Sequence, residues 1–404
     1  MRVWHFTEEP YFPAWDATRP TLRTSLPNAL IEPAVAADLY HRYLDEWLLA
    51  DELGLDIFVN EHHSTATCMT ASANLILAIL ARQTRKARLL GLGFPIGIRP
   101  DPVRVAEELS MIDVISRGRL EMGFIKGVPY EFIPANQSPV RIMDRFWEAH
   151  DLIVKAMSTH DGPFSWEGEY FQYRSVNIWP RPWQQPHPNV WSSVSSMHNV
   201  RNVARRKYTM ATFINGWQKS KELFDEYRTQ WRVAGHTEPV PLDRLGYLAM
   251  VAVGSSEAEG HRRAQLIRGY LDTNAQVLDP YRNPPGFWSA ADATRLMRLF
   301  GRAAPVMTVT TREGEKLGPV AGASISDMIA GGLMFAGSPD QVYRQIVTFA
   351  DAVGGFGNLL MMGQGGAMSH ADTVDSLTLF AKEVMPRLAE YGRRTEAVTE
   401  RARP

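Results

Sequence analysis

Cysteine is nearly absent: Cys68 is the only one in 404 residues. An intrachain disulfide framework is therefore impossible, and the thiolate sets of zinc ribbons and iron–sulfur clusters are missing. Long apolar runs are missing too. The longest, Ala71–Ala81, is broken by Ser72 and Asn74 and falls short of the roughly 20 residues that cross a bilayer. Residues 1–10 lack the apolar centre of a secretory signal, so the expected location is the cytoplasm. Excess charge of either sign is lacking, with 43 Lys and Arg against 44 Asp and Glu and a net charge of −1. That balance gives no global electrostatic case for nucleic acid or an acidic membrane surface as partner. Several chemical motifs are also missing. There is no G-x-x-x-x-G-K-[ST], no G-x-S-x-G and no H-E-x-x-H, which excludes the phosphate-binding loop and the usual hydrolase and zinc-protease signatures. Gly91-Leu-Gly93 is half a dinucleotide fingerprint, but residue 96 is Ile where the third glycine belongs.

What the sequence does have is alternation. Short apolar runs at 3–6, 57–59, 87–93, 120–124, 190–192, 210–213, 247–253 and 358–362 read as strands. Between most of them lie segments with apolar residues every three or four positions, which read as helices. Eight strands alternating with helices fit an α/β fold of the (β/α)8 TIM-barrel type with insertions; a doubly wound open sheet is the structural alternative. The third helix is well marked, with Asp101 as N-cap, Pro102 in its first turn and Val105, Leu109, Ile112 and Ile115 as the buried stripe. Ser338-Pro-Asp-Gln341 is a capping box. The whole chain, 1–404, reads as one domain with two insertions. Residues 160–180 contain a loosely alternating hairpin, and residues 271–331 form a long excursion rich in Pro and Gly. Tyr281, Phe287, Trp288 and Phe300 in the excursion suit a lid over an apolar substrate or an interface arm.

Three polar clusters follow strands, and catalytic groups of a barrel gather at the C-terminal strand ends. Glu61-His62-His63 ends the second strand. Alternation sends the two histidines to opposite faces, which argues against both holding one metal; no metal ligand set is assigned. A histidine near neutrality exchanges protons with a reacting oxygen, while the structural alternative is a hydrogen-bonded pair capping the strand. Lys126, between Gly123 and Gly127 after the fourth strand, suits a phosphate or simply an exposed turn. Ser195, Ser196 and Asn199 open the helix after the fifth strand, where free N–H groups suit an anion and serine is also an ordinary cap.

These segments together resemble the bacterial-luciferase-like flavin-dependent monooxygenases. The resemblance runs through Asn60-Glu-His-His63, Asp101-Pro-Val-Arg-Val-Ala-Glu-Glu108, Asp113-Val-Ile-Ser-Arg-Gly-Arg119, Glu167-Gly-Glu169, Trp179-Pro-Arg-Pro182, Ala336-Gly-Ser-Pro339 and Glu383-Val-Met-Pro-Arg387. It implies FMN, reduced and used as a cosubstrate with O2, at the C-terminal mouth of the barrel. It implies His62, with Glu61, as the catalytic group, and Lys126, Ser195, Ser196 and Asn199 around the FMN phosphate. Phe94 and Pro95 fall where the family has a bulge with a cis peptide, and Pro95 makes a cis bond there chemically easier. Glu131 stands one residue off the common spacing. Ile125 replaces the reactive cysteine of luciferase itself, which argues against light emission. The implied partners are a small organic substrate, a separate NAD(P)H flavin reductase and a second copy of the chain, as homodimer or homotetramer. The alternatives on the same fold are hydride transfer with the deazaflavin coenzyme and a non-catalytic flavin-binding relative. A metal-dependent barrel hydrolase is the alternative from another class.

Overall fold

A computed structural model describes residues 1–15, 26–273, 277, 281, 284, 286–291, 293–294 and 307–401. The elements that build the barrel are β1 (Arg2–Thr7), α1 (Pro33–Leu53), β2 (Asp56–Val59), α2 (Ala73–Gln83), β3 (Leu89–Phe94), α3 (Pro102–Ser116), β4 (Leu120–Phe124) and α4 (Ile142–Ser158). A small antiparallel hairpin follows, β5 (Phe164–Glu167) with β6 (Gln172–Val176), where the first insertion was expected. The barrel resumes with β7 (Val190–Ser193), α5 (Met197–Arg205), β8 (Thr209–Phe213), α6 (Gly216–Val233), β9 (Leu245–Val253) and α7 (Glu257–Asp272).

The parallel pairings run β1–β2–β3–β4–β7–β8–β9–β13, and β13 (Asn358–Gln364) returns to β1, closing an eight-stranded barrel. The excursion holds a second hairpin, β10 (Thr308–Thr310) with β11 (Lys316–Pro319), and α8 (Ile325–Ala330). It also ends in a strand that the sequence reading passed over, β12 (Met334–Gly337). The reason is visible in β9, which has nine residues, all buried. Its first half pairs with β8 and its second half with β12, so β9 outruns its barrel neighbour and a short strand fills the gap. α9 (Pro339–Ala352) follows with the expected capping box, Ser338 N–H donating to Gln341 Oε1 at 2.9 Å. α10 (His370–Leu379) and α11 (Met385–Arg401) close the chain, joined by one π-helical turn.

Side-chain alternation fills the two sides of the sheet. Trp4, Phe6, Phe58, Leu90, Leu92, Trp191, Leu248, Met250, Leu360 and Met362 form the barrel interior. Val3, Ile57, Val59, Leu89, Met122 and Phe124 pack outward on the helices. At the N-terminal end, polar groups close the floor. Trp4 Nε1 donates to Asn358 Oδ1 at 3.1 Å, and the buried Glu121 accepts from Trp191, from Arg88 and, at 3.0 Å, from Asn189. That leaves the opposite, C-terminal mouth for chemistry.

Two sequence expectations are corrected here. The cis peptide near the end of β3 lies at Leu92–Gly93, not at Phe94–Pro95, and the β3–β4 register shifts at the same place. The glycines there serve close packing, since a Cβ on Gly123 would stand 2.4 Å from the Gly91 carbonyl oxygen. This accounts for Gly91-Leu-Gly93 without a dinucleotide. On α3, Val105, Leu109 and Ile112 are buried as expected, but Ile115 is exposed. Among the described residues, no helix is long and apolar enough to cross a membrane.

Candidate active site

The inward-facing side of β1 reads Trp4, Phe6 and then, past its end, Glu8. The same side of β2 reads Phe58, Asn60 and His62. Phe6 and Phe58 stack at 4.3 Å between ring centroids, and Phe213 stands 6.4 Å from Phe58. The polar residues therefore rise directly from an apolar, aromatic barrel interior.

His62 is the centre of this group. Its Nδ1 meets Glu131 Oε1 at 2.8 Å, and its Nε2 lies 3.9 Å from Glu8 Oε2. Its backbone N–H donates to the Thr70 carbonyl at 3.1 Å, which ties the loop down. Glu131 is fully buried and sits in a 3-10 turn, Pro129–Glu131. Its second oxygen accepts the Val128 N–H at 3.0 Å. Gly127, at φ +90°, provides the left-handed bend that brings the turn back to His62. The residue that sequence spacing left one position off is thus the group that fixes the imidazole. A carboxylate accepts only, so Nδ1 carries the hydrogen toward Glu131.

Glu61 points the other way. It accepts from Arg99, from the Ala73 N–H at 3.0 Å and meets His63 Nε2 at 3.0 Å. The two histidines do take opposite faces, and the Glu61 carboxylate is spent on anchoring the loop to α2 and Arg99. Phe94 is buried with its ring against Gly91 and Leu77, on the outer side of the sheet. Pro95 lies beside Gly127, 3.5 Å from where a Cβ there would stand.

Ser196 caps α5 through its backbone, with extended φ −130° and ψ 146°, and its hydroxyl makes no capping bond. Ser195 and Ser196 are exposed, and the buried Asn199 Oδ1 has no hydrogen-bond partner among the described residues. The uncapped first turn and this orphaned acceptor sit together at the C-terminal end of β7. Lys126 faces the excursion: its Nζ stands 3.5 Å from the Phe287 ring centroid and 3.4 Å from the Phe287 carbonyl. Phe287 packs edge-on against Phe132 at 5.5 Å, one residue beyond Glu131. Phe287 and Trp288 therefore rest on the loop that carries Glu131. Phe300 lies outside the described residues.

Two further acids were passed over in the sequence, Glu8 and Glu9. The signal for Glu8 is positional: an acid two places beyond Phe6 continues the inward-facing side of β1. Glu9 takes φ +46° and buries its carboxyl, with no hydrogen-bond partner for either oxygen among the described residues. Burial pushes its pKa up to about 8. Among the described residues, no group of three or more His, Cys, Asp or Glu is placed to hold a metal ion.

The sequence pattern of the luciferase-like monooxygenases matches residues 26–354. The chain belongs to that family. A relative from Sinorhizobium fredii, of uncharacterized function, is 28% identical over 228 residues, covering 55% of this chain and 65% of its own. The oxygenase component of a flavin-dependent trigonelline monooxygenase from Acinetobacter baylyi is 31% identical over 158 residues, covering 38% of this chain and 42% of its own. The chain thus spans under two thirds of these relatives' lengths. Among solved structures, the oxygenating constituent of 3,6-diketocamphane monooxygenase from Pseudomonas putida, in complex with FMN, superimposes with a TM-score of 0.68 at 19% identity, covering 96% of this chain and 98% of its own. An F420-dependent secondary alcohol dehydrogenase superimposes with a TM-score of 0.62 at 14% identity, covering 88% and 95%. At such identities these likenesses speak for the barrel fold of this luciferase-like chain.

Proposed function

We propose that the chain is the oxygenase of a two-component system that takes reduced FMN and O2 and oxygenates an organic substrate with an apolar part. The observation that carries this reading is the His62–Glu131 pair standing at the mouth of an aromatic barrel interior. The residues present fit FMN. The apolar mouth suits the flavin rings, and the uncapped α5 N-terminus, with Ser195, Ser196 and Asn199, suits a phosphate by its oriented N–H groups and partial positive charge. Lys126 adds a cation on the neighbouring strand end. Bound there, reduced FMN would supply the two electrons that activate oxygen.

The protein's own part is proton handling and exclusion of water. Glu131 orients His62 through Nδ1, and the imidazole takes or returns a proton at the reacting centre. Glu61 is a positioning residue, holding the loop from behind through Arg99 and Ala73. The excursion tip, Phe287 and Trp288, docked on the Lys126 loop, shields the mouth from bulk water. The absence of a complete dinucleotide fingerprint favours a separate NAD(P)H flavin reductase, with both proteins in the cytoplasm.

The test is an anaerobic titration with reduced FMN and, separately, with the reduced deazaflavin coenzyme. Saturable binding of reduced FMN in preference to deazaflavin is expected. The reverse preference would move the reading to hydride transfer.

One surface supports a reading of the assembly. Leu75 and Ile79 on α2 and Met111 and Ile115 on α3 are exposed, at 68%, 39%, 47% and 44%. Each pair is spaced i,i+4 and so shares a helix face, and α2 packs beside α3. An apolar face of this kind is characteristic of a protein–protein contact, and we assign it to the homodimer. Leu75→Arg with Ile115→Arg is expected to halve the sedimentation mass without lowering the melting temperature by more than a few degrees. An unchanged mass would place the contact elsewhere.

A further inference from the structure

One backbone torsion breaks the rule for its residue type. Ile214, directly after β8, has φ +48°. The left-handed region is unfavourable for L-residues, and most so for a side chain branched at Cβ. Among the described residues, Ile214 is the only β-branched one with a positive φ. Such strain persists only where the surroundings over-determine it, and here they do. The Ile214 N–H donates to the Leu248 carbonyl at 2.9 Å, one step past the last β8–β9 pair, Phe213 with Leu248. Asn215 Nδ2 donates to Thr212 Oγ1. Gly216, at φ +68°, donates to Tyr247 Oη at 3.3 Å, and a Cβ there would stand 2.8 Å from the Gly331 carbonyl oxygen. The turn from β8 into α6 is thus clamped between β9 and the end of α8.

Alternation along β8 sends Ala211 and Phe213 to the barrel interior and Met210 to the helices. By that alternation Ile214 belongs on the helix side. It packs instead on the cluster that holds Phe213, Phe58, Leu92 and Leu248. β8 stands opposite β2 in the ring of eight strands, and the Phe213 and Phe58 rings come within 6.4 Å, which closes the interior below. Ile214 stands one residue nearer the C-terminal mouth and remains half-buried, as does Phe213. A residue placed only to fill the core would be fully covered. The strained torsion therefore holds a branched apolar side chain on the interior side of the sheet with part of it open.

We infer that Ile214 is a specificity-determining residue: with Phe213 it walls the site for the substrate's apolar part, and its branched side chain limits how wide that part is. The class selected is a slender apolar skeleton in preference to a cage-like one. In an apolar pocket one methylene changes selection by roughly 10- to 200-fold, so a whole side chain at the wall has a large effect. The inference rests on the mouth being the substrate end of the proposed oxygenase, and it names that substrate's shape.

The test pairs stability with ligand width on the full chain. Ile214→Ala and Ile214→Gly remove nearly the same apolar contact, but only glycine relieves the torsion. The glycine variant is therefore expected to melt above the alanine variant, the reverse of the order at an ordinary strand position. In calorimetric titration, with and without oxidised FMN, the parent is expected to bind n-octanol at least tenfold more tightly than 1-adamantanol. Both variants are expected to lower that ratio at least tenfold. A parent ratio near one, no detectable n-octanol binding, an unchanged ratio in the variants, or alanine melting at or above glycine would overturn the inference. If either variant fails to fold, Ile214→Val decides: with one methyl fewer its ratio should fall by a smaller factor, and an unchanged ratio refutes the wall. FMN binding is read on the same samples. An unchanged ratio with FMN bound refutes the wall alone, and a shifted ratio without FMN binding refutes the flavin reading instead.

Discussion

His62→Ala is expected to lower oxygenation by about 10²- to 10⁴-fold, the range over which a positioned acid–base group accelerates proton transfer. The readout is product formed per reduced FMN consumed. The fold should survive, because His62 lies at the mouth and its backbone bond to Thr70 remains. Glu131→Gln should give a smaller loss. It keeps a side chain at 2.8 Å from Nδ1 but presents an amide that no longer enforces one tautomer. An alanine variant with the melting temperature of the parent and full turnover would remove His62 from the chemistry. A variant that loses turnover only by unfolding would give it a structural role.

The second large effect is on stability against pH. Two buried groups oppose one another. Burial holds His5 down to about 3 and pushes Glu9 up to about 8, and among the described residues neither side chain has a hydrogen-bond partner. Their ordinary values are 6.5 and 4.5. Below pH 6.5 the unfolded chain protonates His5 while the folded one does not, so stability falls as pH drops toward 3. Above pH 4.5 the unfolded chain ionises Glu9 while the folded one keeps its proton, so stability falls as pH rises toward 8. Each group contributes a slope of about 1.4 kcal/mol per pH unit. The two slopes cancel between pH 4.5 and 6.5 and leave a plateau with a fall on either side. Glu9→Gln is expected to lift the alkaline side by several kcal/mol near pH 8, and His5→Leu to lift the acid side. Denaturant unfolding at pH 4, 6 and 8.5 measures both. Parallel curves for Glu9→Gln and the parent would mean that the folded chain ionises Glu9 without cost.

The barrel was legible because period-two apolar runs and period-3.6 helices alternate through most of the chain. β12 escaped because its apolar residues, Met334 to Gly337, lie directly before the Ser338 capping box and read as its approach. Only the reach of β9 beyond β8 makes room for a further strand, and length alone does not reveal that. Ile115 shows the same limit from the other side. Its spacing puts it on the apolar stripe of α3, but an apolar position reads alike whether its own helices or a partner cover it.

In the candidate site, the position of His62 just past the end of β2 was legible. Its two carboxylates were not: Glu131 lies 69 residues away and Glu8 lies 54 away (62 minus 8). Barrel closure, not local sequence, brings them together. Glu61 had the opposite fate. It is adjacent to His62 in sequence, and strand alternation sends its carboxylate to Arg99 and the start of α2.

The measurement that tests the central claim most directly is to admit oxygen to the anaerobic complex of the protein with reduced FMN in a stopped-flow instrument, with the His62→Ala complex alongside. The account predicts that bound flavin reoxidises with a time course distinct from free reduced FMN, and that His62→Ala changes it. Reoxidation indistinguishable from that of free reduced FMN, for both proteins, would contradict it.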